Sequence, residues 1–447
     1  MKSLFAFLII LCALFASVGT VFAQVRAFIN NSFTVGGGPQ CVVAADLNGD
    51  GKIDLVTANL FDRTLTVLTN NGSGLFGSNA TVIVGAIPNW VTAADINGDG
   101  KLDLIASSGV GEGANVLTIW TNNGSYIFGS NATLNVGAAP SCVIAADVNG
   151  DGKLDLITAN LGDNTLTVLT NNGSGLFGSN ATLSVGIDPQ SVIAADINGD
   201  GKQDLIAANF GGFSPSIGSL TVLTNNGMGV FGSNATINVG YWTRSVIAAD
   251  LRNSGKLDLV CANQWDDTLT VLTNNGAGLF SWNATLNVGL VPYGVVAGDI
   301  YGDGAVDLVA VNAGDNSLTV LTNNGSGIFG FSSTAGVGSV PESVVIADLN
   351  NNGKLDLISC NETSDSVTVL TPVIAGRPLL SLAPIGSNNL LLSWSSFSTG
   401  FVLQTNSDLT TTNWATAGYF VSISGATNQS TTIAPTQTGN LFFRLQQ

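Results

Sequence analysis

Read only for apolar and polar positions, the chain repeats one pattern seven times. A unit such as "CVVAADLNGDGKIDLVTANLFDRTLTVLTNNGSGLFGSNATVIVG" (41–85) breaks into short apolar or alternating runs separated by turn residues. "CVVAA" precedes an acidic loop and "IDLVTA" follows it. "TLTVLT" alternates with period two and ends in the turn signal "NNG", and "ATVIVG" closes the unit. No run has a helical period. Four short strands per unit, repeated seven times, predict an all-β ring of four-stranded blades, a seven-bladed β-propeller.

The acidic phrases begin at Asp46, Asp95, Asp147, Asp196, Asp250, Asp299 and Asp348, at intervals of 49 to 54 residues. The last unit has three strands, "SVVIA", "LDLIS" and "SVTVLT", and stops at Pro372. The missing fourth strand is supplied by "NNSFTVGGGPQ" (30–40), which aligns with "SNATVIVGAIPNW" (78–90). Pairing of Ser32–Gly36 into the last blade would close the ring and hide two sheet edges. The pattern changes after Pro372. Residues 373–380 read as a linker, and 381–447, with "NLLLSW", "GFVLQT", "YFVSIS", "STTIAP" and "NLFFRL", as a small C-terminal β-sandwich.

Residues 1–23 read as a signal peptide: Lys2, a long apolar run, then Val21-Phe22-Ala23, with cleavage expected after Ala23. An uncleaved membrane anchor is the alternative, since the run is almost long enough to span. The propeller then occupies 24–372, in a secreted or cell-surface protein with no membrane span after cleavage. Cys41, Cys142, Cys261 and Cys360 read as scattered buried thiols, because Cys41 and Cys142 fill one slot of two non-adjacent repeats.

Composition narrows the function. Apolar residues make up 45%, charged residues 10%, histidine is absent and the net charge is −17. A nucleic-acid partner is excluded, because phosphate contacts need a basic face. Imidazole bases, histidine triads and ordinary zinc sites are excluded as well.

The acidic loops hold most of the chain's acid. In "DLNGDGKID", Asp46, Asn48 and Asp50 alternate, Gly51 allows a sharp bend, the carbonyl of Lys52 follows, and Asp54 closes the loop. Hard oxygen donors in this order suit Ca²⁺ better than Mg²⁺, and the flanking strands rule out a helix–loop–helix site. The same slots hold Asp95, Asn97, Asp99, Lys101 and Asp103; Asp147, Asn149, Asp151, Lys153 and Asp155; and Asp196, Asn198, Asp200, Lys202 and Asp204. The sixth loop keeps Asp299, Asp303 and Asp307 with Tyr301 between them, and the seventh has Asp348, Asn350, Asn352 and Asp356. In the fifth, 250–258, Arg252 and Ser254 replace two oxygen ligands. The guanidinium is expected to pair with Asp250 and Asp258 in place of an ion, so this loop should lack Ca²⁺. A metal-free Asx turn is the alternative throughout, though three like charges in one turn argue for a cation.

These loops, with Phe76-Gly77 and Gly85-Ala86-Ile87-Pro88, resemble the FG-GAP or VCBS-type repeats of integrin-like propellers over about residues 30–372. The resemblance implies a seven-bladed propeller with structural Ca²⁺ between the first and second strands of each blade. It also implies an adhesive, glycan-binding or scaffolding role.

The second-to-third connections ("NLFDRTL", "NFGGFSPSIGSL", "NQWDDTL") and the inter-blade connections ("GAIPNW", "GYWTRS", "GLVPYG") vary strongly within the chain. Strand alternation puts both on the face opposite the acidic loops. Trp90, Phe213, Trp242, Arg244, Trp265 and Tyr293 are the candidate ligand contacts there, with packing between blades as the alternative. The expected protein is a monomeric, non-catalytic binding or adhesion scaffold for an extracellular protein or glycan. A lectin is the narrower reading, and a polysaccharide-degrading enzyme is the third. The last would need acids such as Asp62, Glu112, Asp266 or Asp267. "NAT" and "NGS" read as turns rather than glycosylation acceptors.

Overall fold

The computed structural model describes residues 27–373, apart from 111–113 and 213–215, and seven strands between 381 and 446. The leader 1–23, residues 374–380 of the linker, Glu112 and Phe213 lie outside the described residues. Ala27–Pro372 forms one compact unit, and the strands beyond Val373 belong to another.

Strand β1 spans Ala27–Thr34. Blade one follows as β2 (Pro39–Ala45), β3 (Asp54–Asn59), β4 (Thr64–Asn70) and β5 (Phe76–Ile83), paired in that order. Five further blades repeat this order. In the seventh, Pro341–Ala347, Asp356–Asn361 and Ser366–Val373 are completed by β1. The closing strand begins earlier and ends sooner than Ser32–Gly36. Val35 already donates to the Asp365 carbonyl at 3.0 Å, and Gly36 lies so close to Asn59 that a Cβ would sit 2.6 Å from its Nδ2.

The second strands are near-continuous apolar runs because neighbouring blades cover both faces: all six residues of β3 are buried. The core therefore lies between blades. Leu47, Val56, Leu65 and Val67 of blade one pack with Val91, Leu104, Ala106 and Trp120 of blade two. The third-to-fourth pairing shifts register at the same place in each of blades one to six, Val67/Leu68 in the first, with a second shift at Ile217/Ser219 in blade four. Such a bulge adds local twist. Cys41, Cys142, Cys261 and Cys360, the cysteines among the described residues, are free and buried. Burial pushes the thiols of Cys142, Cys261 and Cys360 up to about 12.

The first strands of neighbouring blades contact one another all round, so they ring the axis. Beyond Val373 two small antiparallel sheets are described. One joins Ser381–Ile385, Asn389–Ser395, Asn428–Ile433 and Ser422–Ser424; the other joins Ala415–Thr416, Val402–Asn406 and Phe442–Gln446. The side chains whose packing would make a sandwich of them lie outside the described residues.

Candidate functional site

The first acidic loop is ordered by its own carboxylates. Asp46 Oδ1 accepts from Gly49 N (2.8 Å) and Asp50 N (3.2 Å), and Oδ2 accepts from Gly51 N (2.8 Å). Asn48 Oδ1 accepts from Asp50 N at 2.9 Å. Gly51 has φ 81° with open space where a Cβ would stand, so backbone conformation rather than crowding requires glycine. Asp54 differs from these exposed groups. It is 1% exposed, its Oδ1 accepts from Asn70 N (2.9 Å), and its Oδ2 from Leu47 N (3.3 Å) and the Tyr126 hydroxyl (2.8 Å). Burial raises its carboxyl above the usual range despite these bonds, and the nearby Asp50 charge adds to the shift. Burial raises Asp103, Asp155, Asp204 and Asp356 in the same way.

The loop lysines do not neutralise these buried acids. Lys52, Lys101, Lys153 and Lys202 lie 3.1–3.7 Å from Asp50, Asp99, Asp151 and Asp200, between side chains roughly 40% exposed. The Lys52 hydrogen bond, first among several causes, lowers the Asp50 carboxyl.

One role went unseen in the sequence. "NNG" reads as a hairpin turn, yet Asn122 Nδ2 donates to the Leu47 carbonyl in the preceding blade's loop at 2.7 Å. Asn70, Asn171, Asn225, Asn274 and Asn323 make the equivalent 2.7 Å bond to Leu349, Ile96, Val148, Ile197 and Leu251. Each of these loops is thus fastened to the next blade. The recurrence of one asparagine at a fixed offset before the phenylalanine that opens the fourth strand, as in Asn70 and Phe76 or Asn122 and Phe128, was the available signal.

The last three loops depart from this plan. In the fifth, Arg252 Nε and Nη2 reach Asp258 Oδ2 and Oδ1 at 2.9 and 2.7 Å, and Nη2 also reaches the Asn274 carbonyl at 2.8 Å. The expected side-chain pairing with Asp250 does not form: Asp250 Oδ1 accepts instead from the backbone N of Arg252 (3.3 Å) and of Ser254 (2.9 Å). In the sixth, Tyr301 turns inward and is 7% exposed. In the seventh, Asn350 Oδ1 is buried without a hydrogen-bond partner.

No three acidic or cysteine side chains among the described residues already converge as a metal cage. The donor set nevertheless fits a hard cation: all-oxygen loops, a buried acid without a cationic partner, and, in one loop, a guanidinium bound to both oxygens of that acid. A cleft of about 750 Å³ on this face is lined by Ile144, Asp147, Gly201, Lys202 and Asn225, between blades three and four.

On the opposite face the candidates separate. Trp90 lies on the inner strand Ile87–Ala94 and packs against the cores of blades one to four, so it is chiefly a packing residue. Trp242 stacks on Phe210 (5.2 Å between centroids, 15° between planes) and meets the edge of Trp265 (4.7 Å, 69°). Trp265 is 56% and Tyr241 38% exposed. Two backbone bonds fix this cluster, Gln264 N to Trp242 O (3.0 Å) and Trp265 N to Tyr241 O (3.3 Å). Asp266 is occupied in capping Tyr241 N at 2.7 Å, and Asp62 in capping Gly37 N at 2.7 Å. Arg244 and Tyr293 border this cluster on inner strands of blades five and six: Arg244 Nη1 is 3.4 Å from Oε1 of Gln264, the residue before Trp265, and its guanidinium carbon is 3.8 Å from the Tyr293 ring centroid.

Ring, loops and closing strand define the class: a seven-bladed β-propeller built of acidic-loop repeats. The chain belongs to the FG-GAP-like repeat family, which matches at residues 46–106, 95–158, 147–207, 198–261, 251–310 and 299–359. Among solved structures it is similar in fold to BBS1N in complex with ARL6DN. That likeness is 12% identity at a TM-score of 0.56, over 78% of this chain and 97% of that one. It is also similar to a functionally unknown protein from Desulfotomaculum acetoxidans DSM 771, at 13% identity and a TM-score of 0.51, over 74% and 91%. At such identities the likeness is one of fold alone. No curated protein matches the chain. Among the described residues no helix is long and apolar enough to cross a membrane.

Proposed function

We propose that this FG-GAP propeller is an exported, calcium-stabilised, non-catalytic binding scaffold that takes a glycan on the face opposite its acidic loops. The observation that carries the ligand class is the cluster of Phe210, Tyr241, Trp242 and Trp265. Its indoles are held by packing and backbone bonds while the Trp265 side chain stays more than half exposed. A rigid aromatic surface of this kind buries a sugar's apolar face at little entropic cost. The absence of histidine and the use of Asp62 and Asp266 as backbone caps favour binding over catalysis.

Asp46, Asn48, Asp50, the Lys52 carbonyl and Asp54, with their counterparts in loops two to four, would hold the ions. A bound Ca²⁺ neutralises the clustered carboxylates and cross-links the two ends of the loop. Through Asn70 and its equivalents, ordering one loop also orders the contact with its neighbouring blade. The signal-like leader supports export.

A glycan array probed with the Ca²⁺-loaded protein and with Trp265→Ala tests the reading. Binding that the substitution abolishes is expected. An array without any bound glycan, alongside saturable binding to a protein ligand, would replace the sugar with a protein partner.

A further inference from the structure

Gln40, Asn89, Ser141, Arg244, Tyr293 and Glu342 hold the same place, at the register shift of their blades' first strands, which together ring the axis. In blades two and three these groups are satisfied by neighbours. Asn89 Nδ2 donates to the Pro140 carbonyl (3.4 Å), and Ser141 Oγ to the Pro189 carbonyl (2.9 Å).

Around blade seven they are not. Arg244 of blade five reaches past blade six to Glu342 of blade seven, yet its Nη2 stops 3.8 Å from Oε2. Its bond to Gln264 Oε1 is 3.4 Å. Both are long for charge-assisted contacts, which ordinarily run about 2.7–2.9 Å. The guanidinium carbon lies over the Tyr293 ring, 3.8 Å from its centroid, with 29% of the side chain exposed. The Glu342 side chain is 10% exposed, and burial pushes its carboxyl up to about 7 against the pull of Arg244, with Glu362 adding to the rise. In blade one, Gln40 Nε2 is buried and has no partner. Its strand touches that of blade seven, where Val42 N donates to Ser343 Oγ at 3.0 Å.

An unpartnered donor on Gln40 and a loosely bonded guanidinium thus share the ring of inner strands with an acid 3.8 Å from its cation. A sugar hydroxyl both accepts and donates, so it can satisfy both kinds of group. The aromatic cluster adjoins them: Gln264, which Arg244 contacts, is the residue before Trp265, and Trp242 lies two residues before Arg244. Resting on the glycan reading above, we infer that Arg244, Gln40, Tyr293 and Glu342 form a polar subsite at the axis that holds one sugar of a neutral glycan whose adjoining sugars stack on Trp242 and Trp265. Neutrality follows from charge. A uronic carboxylate would face Glu342 and Glu362 in a chain of net charge −17.

The test is titration calorimetry of the full chain with neutral oligosaccharides and with uronic-acid oligosaccharides of equal length. The wild type should bind the neutral series at least tenfold more tightly. Arg244→Met and Gln40→Leu should each lose about tenfold, while Trp265→Ala loses binding altogether. Gln40→Leu removes no charge, so its unchanged melting temperature would separate a lost contact from a lost fold. Wild-type affinity in both axial variants, with Trp265→Ala inactive, would overturn the subsite and leave the aromatic site standing. Preference for the uronic series would overturn neutrality. Failure of the wild type to bind either series would remove the glycan reading itself.

Discussion

Blade five carries two arginines, one at each end of its inner strand Thr243–Ala249. Arg252, at the loop end, makes three bonds of 2.7–2.9 Å to Asp258 and the Asn274 carbonyl. Arg244, at the other end, has a single hydrogen bond of 3.4 Å and an ion pair of 3.8 Å. The same residue type meets buried carboxylates in both places, and the side chains are equally exposed at 29%. Only the first pair is closed. Asp258 has both oxygens matched to the guanidinium fork, which is how arginine best compensates a buried acid. Glu342 has a distant cation and a raised carboxyl instead. A cation that completes the fold is therefore saturated by the fold, and one left under-bonded is available to something else.

That contrast can be broken at several points. The largest effect is expected from chelation. With loops one to four loaded at a hundred times their dissociation constants, each ion contributes about 2.7 kcal/mol, so EGTA should lower the melting temperature by many degrees. An unchanged melt would remove calcium from the account. Converting loop five with Arg252→Asn and Ser254→Asp should raise the calorimetric ion count by one.

Next is Arg252→Ala, which strands Asp258 as a buried charge. A loss of about 3 kcal/mol in urea unfolding without Ca²⁺ is expected, whereas a closed pair worth nothing would leave the midpoint unmoved.

Glu342→Gln should act in the opposite direction and depend on pH. The folded carboxyl titrates near 7, above its ordinary 4.5. Its protonated form therefore favours folding, a contribution fully present below the ordinary value, falling between the two and gone above 7. Glutamine cannot titrate. The variant should gain about 2 kcal/mol over wild type above pH 7, with the difference closing towards pH 4.5 in a series of melts. Arg244, Tyr293, Glu362 and the Cys360 thiol are the ionisable groups that face this carboxyl.

The smallest effect is reserved for Lys52→Ala. Its pair with Asp50 lies at the surface, and no resolvable change in the metal-free midpoint is expected from chemical denaturation.

What could be read from the chain followed from its periodicity. Strand order, ring closure and the Arg252–Asp258 pair all rest on spacings within one repeat or on counting repeats. Four features did not. Arg244 meets Glu342 because the ring brings blade five within reach of blade seven, and no local spacing encodes a cross-axial contact. Trp90 was grouped with the exposed aromatics by its place near a variable connection, but it lies on the inward side of a strand, where alternation decides its fate. Asn70 and its equivalents were legible as turn residues only, since their second bond runs to another blade. Residues 27–31 joined the closing strand because β1 pairs along the length of Ser366–Val373, a partner whose reach the N-terminal sequence does not state.

Strand β1 precedes the rest of the ring in the chain yet completes its last blade. Its sheet partner is Ser366–Val373, and Asn30 Nδ2 also donates to the carbonyl of Gly336, 306 positions along the chain, so this strand stays without its sheet until the final blade emerges. An incomplete chain is consequently a gapped arc with two raw edges rather than a smaller wheel. The same geometry makes intermolecular exchange available at high concentration. The leading strand of one molecule can complete the ring of another, so concentrated refolding should yield interlocked dimers that dilution alone separates only slowly.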